Sequence, residues 1–376
     1  MEWFCNGKTL ENDLEYNLNE QAIIFFTAFD LSYKKQKEIF GLVHNSSELL
    51  VNFNNYKSKI EIIINDDKVF DKIIVNLTNG FLHSYIKNLN DKGIVCVTAY
   101  SKDYPDSLRE IDQPPYILFC MGDISLLNSE GIAVVGTRTP TQYGKIITAD
   151  FVKGLILNDF TIISGMAAGV DTIAHKTALE NGGKTIAVLG GGFEHIYPAF
   201  NAELFKKIAA SGLVVSEYTP STKPALFTFP FRNRIIAGLS RGVLITEAGE
   251  KSGALHTKEY ALETGKEVFA VPGNVNSQMS KGTNRIIRNL QGACVLTFED
   301  IVCKFKSNVV TSKKPEVNQT SIEDNLILSA LKIEGKTVEE LQEITKLPTN
   351  KLNSCLTIFE IKGIVRKLPG NKIELV

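Results

Sequence analysis

The chain has 376 residues, 44% hydrophobic and 22% charged, with mean hydropathy near zero, a globular composition long enough for two or three domains. No apolar run approaches the roughly 18 residues a membrane helix needs, and the opening MEWFCNGKTLENDLEYNLNE is acidic and polar where a secretory leader is basic and then apolar, so membrane insertion is not expected and the expected compartment is the cytoplasm. The net charge of −1 hides an asymmetry, with net −7 over residues 1–130, net +3 over 131–300 and net +3 over 301–376; a polyanion site is expected from residue 131 onward.

In chain order, QAIIFFTAF, KKQKEIFGLV and SSELLVNF have the spacing of short helices and predict a small helical domain over 1–100. From residue 131 to 300, short β-branched runs alternate with helical stretches. The strand candidates are IAVV at 132–135, TIIS at 161–164, TIAVLG at 185–190, LVVSE at 213–217, GVLITEA at 242–248 and EVFAVPG at 267–273. Between them KIITADFVKGLILN, DTIAHKTALENG, ELFKKIAASG, RIIAGLS and ALHTKEYALETG carry helical spacing, and several close on the glycine of a helix C-terminus. The series predicts an α/β, Rossmann-like, mostly parallel sheet domain over 101–303, with ligands outside the carboxyl ends of its strands.

The polar, aperiodic stretch 304–320, with Pro315, reads as a linker. Residues 321–376 then give three helical patterns and two short strands around a Pro-Gly turn, the order of a winged helix-turn-helix, with its turn at Lys346, Leu347 and Pro348. Six cysteines lie far apart without a C-x-x-C pair, and the five histidines do not cluster near them. Neither a disulfide framework nor a metal site is expected, and no cofactor is implied.

Three βα turns are rich in glycine. VGTR ends with Arg138, two residues past Gly136; SGMAAGVD, with Ser164, Gly165 and Gly169, opens a helix whose N–H groups suit an anion; GGG at 190–192 follows TIAVL. None has the G-x-G-x-x-G spacing of a dinucleotide fingerprint. The most informative string is FPFRNRIIAGLS, 229–240. It sets Arg232, Asn233 and Arg234 at a helix start beside Phe229 and Phe231, which either stack on bases or belong to the core. Cations there oppose the helix macrodipole, so an anion between them is the natural compensation. Glu247, at a strand's carboxyl end, reads as an orienting partner for Arg232 or Arg234 or as a lone catalytic carboxylate without a visible second partner. His175 reads as a helix-packing histidine rather than a general base.

The ordered set VGTR, SGMAAGVDTIAHKTALENGGKTIAVLGGG, IYP, SEY, FPFRNRIIAGLS, EAGEKSGALHT and VFAVPG resembles the DprA (Smf) family, from about Lys102 to Asp300 and again in the winged-helix segment. The resemblance implies a homodimer that binds single-stranded DNA without sequence preference, protects incoming DNA and hands it to the RecA recombinase during natural transformation, with no established catalysis. It places Arg138, Arg232, Arg234, Ser164, Gly165 and Gly169 at the DNA pocket, with Lys223 upstream as a further candidate, and by analogy gives the N-terminal domain a sterile-alpha-motif-like fold. The helix GTNRIIRNLQGA, with Ile287 and Leu290 on one side, is a candidate dimer element or ordinary core. Two departures stand out: Ala168 occupies a position where the family usually carries a basic residue, and SGALHT replaces the usual SGSLIT.

Two rival readings belong to other classes. Rossmann-like phosphoribohydrolases process nucleoside monophosphates at the same sheet edge, where Glu247 would serve, but their PGG-x-GT-x-x-E loop is not reproduced by EAGEKSGALHT. A transcription factor would read duplex DNA with its winged helix, where only Lys346, Lys351 and Lys362 are obvious cations and EGKTVEELQE is acidic.

Overall fold

The β-branched runs of the middle third pair into one sheet because they are apolar on both faces, the pattern of strands covered by helices on each side. The structure is a computed structural model that describes residues 15–310, 322–331, 335–361, 364–368 and 372–375. Its strands are β1 (Val95–Thr98), β2 (Ile117–Gly122), β3 (Gly131–Val135), β4 (Thr161–Ser164), β5 (Thr185–Val188), β6 (Leu213–Ser216), β7 (Gly242–Ile245), β8 (Glu267–Ala270) and β9 (Ala293–Cys294). They lie in the order β1-β2-β6-β5-β4-β3-β7-β8-β9, parallel from β6 to β9, with β1 and β2 antiparallel at one edge.

Alternation along each strand divides the core. Ile132 and Val134 of β3 point to a layer with Phe151, Val152 and Leu155 of the helix Gln142–Leu157 and Ala174 of the helix Val170–Glu180. Ala133 and Val135 point the other way, toward Ile235 and Ile236 of the helix Thr228–Leu239 and Ala261 of the helix Ala254–Glu263. Each of these side chains is buried, and complete burial of an Ile or Phe contributes about 1.5–3 kcal/mol.

The described part of the N-terminal region is helical, from Leu18 to Asp91, and residues 1–14 of the expected domain lie outside the described residues. Its first described helix, Leu18–Thr27, opens with a capping box between Asn17 and Glu20 and buries eight of its ten residues. Those apolar residues share a core with Phe119 of β2 and Val214 of β6, so helices and sheet belong to one compact unit, Met1–Thr311. Within that unit β1 precedes the expected sheet-domain start at 101, and the helix Phe298–Phe305 runs across the expected end at 303. The second unit, Ser312–Val376, contains the helices Ile322–Leu331, Val338–Thr345 and Thr349–Ile361 and a three-stranded antiparallel sheet from Lys336–Thr337, Val365–Leu368 and Lys372–Leu375, the winged-helix arrangement. Among the described residues no helix is long and apolar enough to cross a membrane.

The feature that positions a site is the placement of β3. Its neighbours are β4 and β7, so the strand order reverses there, and in open α/β sheets the crevice at such a reversal receives the ligand.

Candidate nucleic-acid interface

A hollow of about 550 Å³ opens at that reversal, lined among others by Arg138, Asp171, Tyr197, Phe229, Arg232 and Lys251. Its size falls within the roughly 300–1,000 Å³ of small-ligand sites. Arg138 is exposed and its guanidinium lies 5.7 Å from the ring centroid of Phe229. The turn that carries it is pinned on both sides, by the Thr137 N–H donating to the Glu247 carbonyl at 2.7 Å and the Val170 N–H donating to the Thr137 carbonyl at 3.2 Å. Gly169 makes the second contact possible. Its φ is +81°, and a Cβ there would meet the Thr137 oxygen at 2.4 Å, so a side chain is excluded by conformation and by space.

Arg232 forms the floor. It is 4% exposed, and its Nη1 donates to the carbonyl of Gly165 at 2.6 Å and to that of Val188. Gly165 admits it, since a Cβ would sit 2.5 Å from the guanidinium. Burial lowers the Arg232 pKa to about 10, countered by the Asp171 carboxylate. Burial likewise pushes Asp171 upward, opposed by Arg232 and by the Ala167 and Gly165 N–H groups, which donate to its Oδ2 at 3.3 and 3.1 Å. The turn SGMAAGVD therefore holds an anion, and that anion is the chain's own Asp171. Ser164 is fully buried and donates its hydroxyl to the Val134 carbonyl at 2.7 Å. Ser164 and Gly165 thus lie beneath the hollow, supporting Arg232 and the turn.

Arg234 goes elsewhere. Its Nη1 and Nη2 fork onto Glu217 at 2.8 and 2.5 Å, its Nε donates to the Gln113 carbonyl at 2.9 Å, and its guanidinium stacks 3.8 Å from the Phe231 centroid. The anions that offset the arginines at this helix start are therefore Glu217 and Asp171. Neither arginine hydrogen-bonds Glu247, which corrects the expected orienting pair. Glu247, 1% exposed, accepts instead from the Thr141 N–H at 2.8 Å and the Thr141 hydroxyl at 2.7 Å, beside the start of the helix Gln142–Leu157. The missing Cβ of Gly144 makes room for it, since one built there would lie 2.1 Å from Glu247 Oε2.

The remaining expected residues divide. Asn233 donates its amide to the Gly253 carbonyl at 3.3 Å and accepts from Arg232 Nε at 3.1 Å, tying the helix to the 249–253 loop. Lys223 and Phe231 line a different cavity on the other side of the same helix start. Lys251 and Tyr197 line the hollow although sequence reasoning had not assigned them a contact role. The Tyr197 ring, 55% exposed, sits 5.4 Å from that of Phe229; the strings IYP and EAGEKSG were the only signals for these two. His175 is fully buried with Nδ1 2.7 Å from the Thr185 hydroxyl, and burial pushes its pKa down to about 3, as suits a packing histidine. Ile287 is half-buried, and Leu290 is 91% exposed. In the winged helix Lys351 pairs with Glu323 at 2.5 Å, Lys346 ends a helix in the left-handed region, and Lys362 lies outside the described residues.

The sheet, its hollow at the order reversal and the separate helix-and-wing unit define a Rossmann-like α/β protein with a C-terminal winged helix. The family model for DNA recombination-mediator protein A matches residues 95–306, and that for the DprA winged helix domain matches 311–371. The chain belongs to the DprA family. Protein Smf of Synechocystis is 34% identical over 348 residues, covering 82% of this chain and 86% of the relative. DNA processing protein DprA of Bacillus subtilis is 43% identical over 213 residues, 56% of this chain and 71% of the relative. Among solved structures, DprA from Streptococcus pneumoniae superposes with a TM-score of 0.66 at 33% identity, covering 78% of this chain and 99% of that one. A structure reporting the single-stranded DNA binding mode of DNA processing protein A from Helicobacter pylori superposes with a TM-score of 0.52 at 32% identity, over 56% and 94%.

Proposed function

We propose that the chain binds single-stranded DNA in the hollow at the β3 reversal, without sequence preference and without cutting it. It then protects incoming DNA and delivers it to RecA during natural transformation, in the cytoplasm. The observation that carries this reading is the pairing, within one hollow, of exposed cations with accessible rings: Arg138 and Lys251 beside the half-buried Phe229 and the exposed Tyr197. Cations meet phosphates, which give affinity without reading sequence, and rings stack on any base. Arg232 adds fixed positive charge from below. A hydrolase reading finds less support, because both oxygens of Glu247 are engaged by Thr141. A homodimer formed through the exposed Leu290 and its neighbour Ile287 would present two such hollows, and linked weak sites gain from effective concentration.

The test is fluorescence-anisotropy binding of a labelled single-stranded oligonucleotide with duplex competitor and a salt series, on wild type and on Arg138→Ala. The expected result is a preference for single strands that weakens with salt, at about −0.7 per phosphate contact, and weakens further in the variant. Equal affinity for duplex, or an unchanged variant, overturns the reading.

A further inference from the structure

The cavity on the far side of the helix start has about 520 Å³ and lies where three distant segments meet, residues 27–36, 113–117 and 217–231. Its walls are aromatic. Tyr33 and Tyr116 stack at 5.7 Å, Phe231 meets Tyr33 edge-on at 5.7 Å, and Tyr218 and Phe227 also line it. Of the acids within reach, Glu217 is paired with Arg234, while Asp30 Oδ1 accepts the hydroxyls of Thr219 and Thr222 at 2.7 and 2.6 Å, which orients that carboxylate without neutralising it. What remains for a ligand is cationic at the edge and polar inside. Lys223 is exposed and Lys34 pairs with Glu38 at 4.0 Å, while Thr27, 2% exposed, has a hydroxyl without a hydrogen-bond partner among the described residues. A flat aromatic body with a polar edge and an attached anion meets these demands together, and that is the chemistry of a nucleotide.

The two cavities share one wall. Leu226 and Phe229 line the first and Phe227 and Phe231 the second, so they lie about a helix width apart, roughly 10–12 Å. Leu226 and Phe227 form the ridge between them and are 91% and 75% exposed. Two large apolar side chains left in water between two candidate sites offer a surface for a strand to cross.

We infer that the second cavity takes a base of the same DNA strand that occupies the first, with Lys223 on its phosphate and Phe227 against its ring. The inference rests on the proposed function. It makes the helix start a partition with a nucleotide site on each side.

The experiment uses the full chain, dT oligomers of about 2 and about 16 nucleotides, the shorter unable to span the roughly 10–12 Å between the cavities, and dTMP as the free-nucleotide probe. The double variant Lys223→Ala/Phe227→Ala changes only exposed side chains, and circular dichroism checks its fold; Arg138→Ala serves as the control for the first hollow. The expected result is a loss of at least about five-fold on the long oligomer, the lower end of what one stacked base contributes, with a salt slope shallower by about 0.7 and no change on the short one. An unchanged long-oligomer affinity beside a weakened Arg138→Ala overturns the second site and leaves the first standing. Equal loss on both lengths also overturns it, by assigning the ridge to the first hollow. Saturable dTMP binding lost in the double variant, with oligomer binding unchanged, makes the cavity a free-nucleotide site and refutes the shared strand. Failure of the wild type to prefer single strands removes both readings.

Discussion

Replacing Glu217 by alanine tests whether the FPFRNR helix start is held from within. The side chains of Arg234 and Glu217 are 2% and 8% exposed, and the guanidinium donates two hydrogen bonds to the carboxylate at 2.8 and 2.5 Å. Without Glu217 the charge stays buried, with the Gln113 and Phe231 carbonyls and the Phe231 ring as its nearest compensation. Breaking a buried pair by removing one partner costs about 3–5 kcal/mol, because the other charge is left uncompensated. The carbonyls recover part of this, so Glu217→Ala is expected to lose about 3 kcal/mol. Urea unfolding followed by far-ultraviolet circular dichroism measures it, with the transition of the Met1–Thr311 unit fitted separately from that of the winged helix. The double variant Glu217→Leu/Arg234→Met should recover much of the loss, since apolar replacement of both partners removes the stranded charge. A loss below about 1 kcal/mol, or a double variant no better than the single one, would refute the reasoning.

Gly169→Ala should destabilise by about 2–4 kcal/mol, combining a strained positive φ with a backbone clash, and thermal unfolding reads it. His175→Gln should flatten the acid side of the stability curve. His175 stays neutral in the fold, with its pKa near 3, whereas the unfolded chain takes up the proton below about 6.5, so wild type loses stability as pH falls through that window. Between pH 7 and 5 the difference between wild type and variant should approach about 2 kcal/mol, and equal slopes would show that His175 takes up its proton in the fold as readily as in the unfolded chain. Leu290→Arg should shift a dimer to monomer in analytical ultracentrifugation without changing the circular dichroism spectrum; an unaltered sedimentation coefficient removes that face from the interface.

The sheet was legible because its strands are short β-branched runs bounded by glycine, and each such run in the middle third became a strand. IAVV and TIIS point side chains into both layers, so continuous apolarity was the right signal. The positions of Arg138 and Phe229 in the hollow were legible for the same reason, since both sit beside strand or helix ends that the periodicity had located. What was not legible were long-range partners. Glu217 stood in the SEY string without an assigned role, yet it decides where Arg234 points, and Glu247, the acid that looked available, went to Thr141 because β7 ends beside that helix start. Asp171 was read as part of an anion-binding turn rather than as its occupant. The second cavity joins residues 27–36 to residues 217–231, a juxtaposition that local patterning does not encode.

The self-filled turn has a consequence for selectivity inside a crowded cell. Amide cradles at helix starts are general anion traps, and the abundant phosphorylated metabolites compete for any that stand open. Here the Asp171 carboxylate accepts from the N–H groups of Gly165 and Ala167 in the turn that leads into the helix, and its charge favours that of Arg232. If the hollow binds DNA as proposed, those two amides are not open to a compact phosphate, and an extended polymer would rely on contacts along the rim. On that reading, the same carboxylate that stiffens the floor would tilt the hollow away from small ligands and toward long ones.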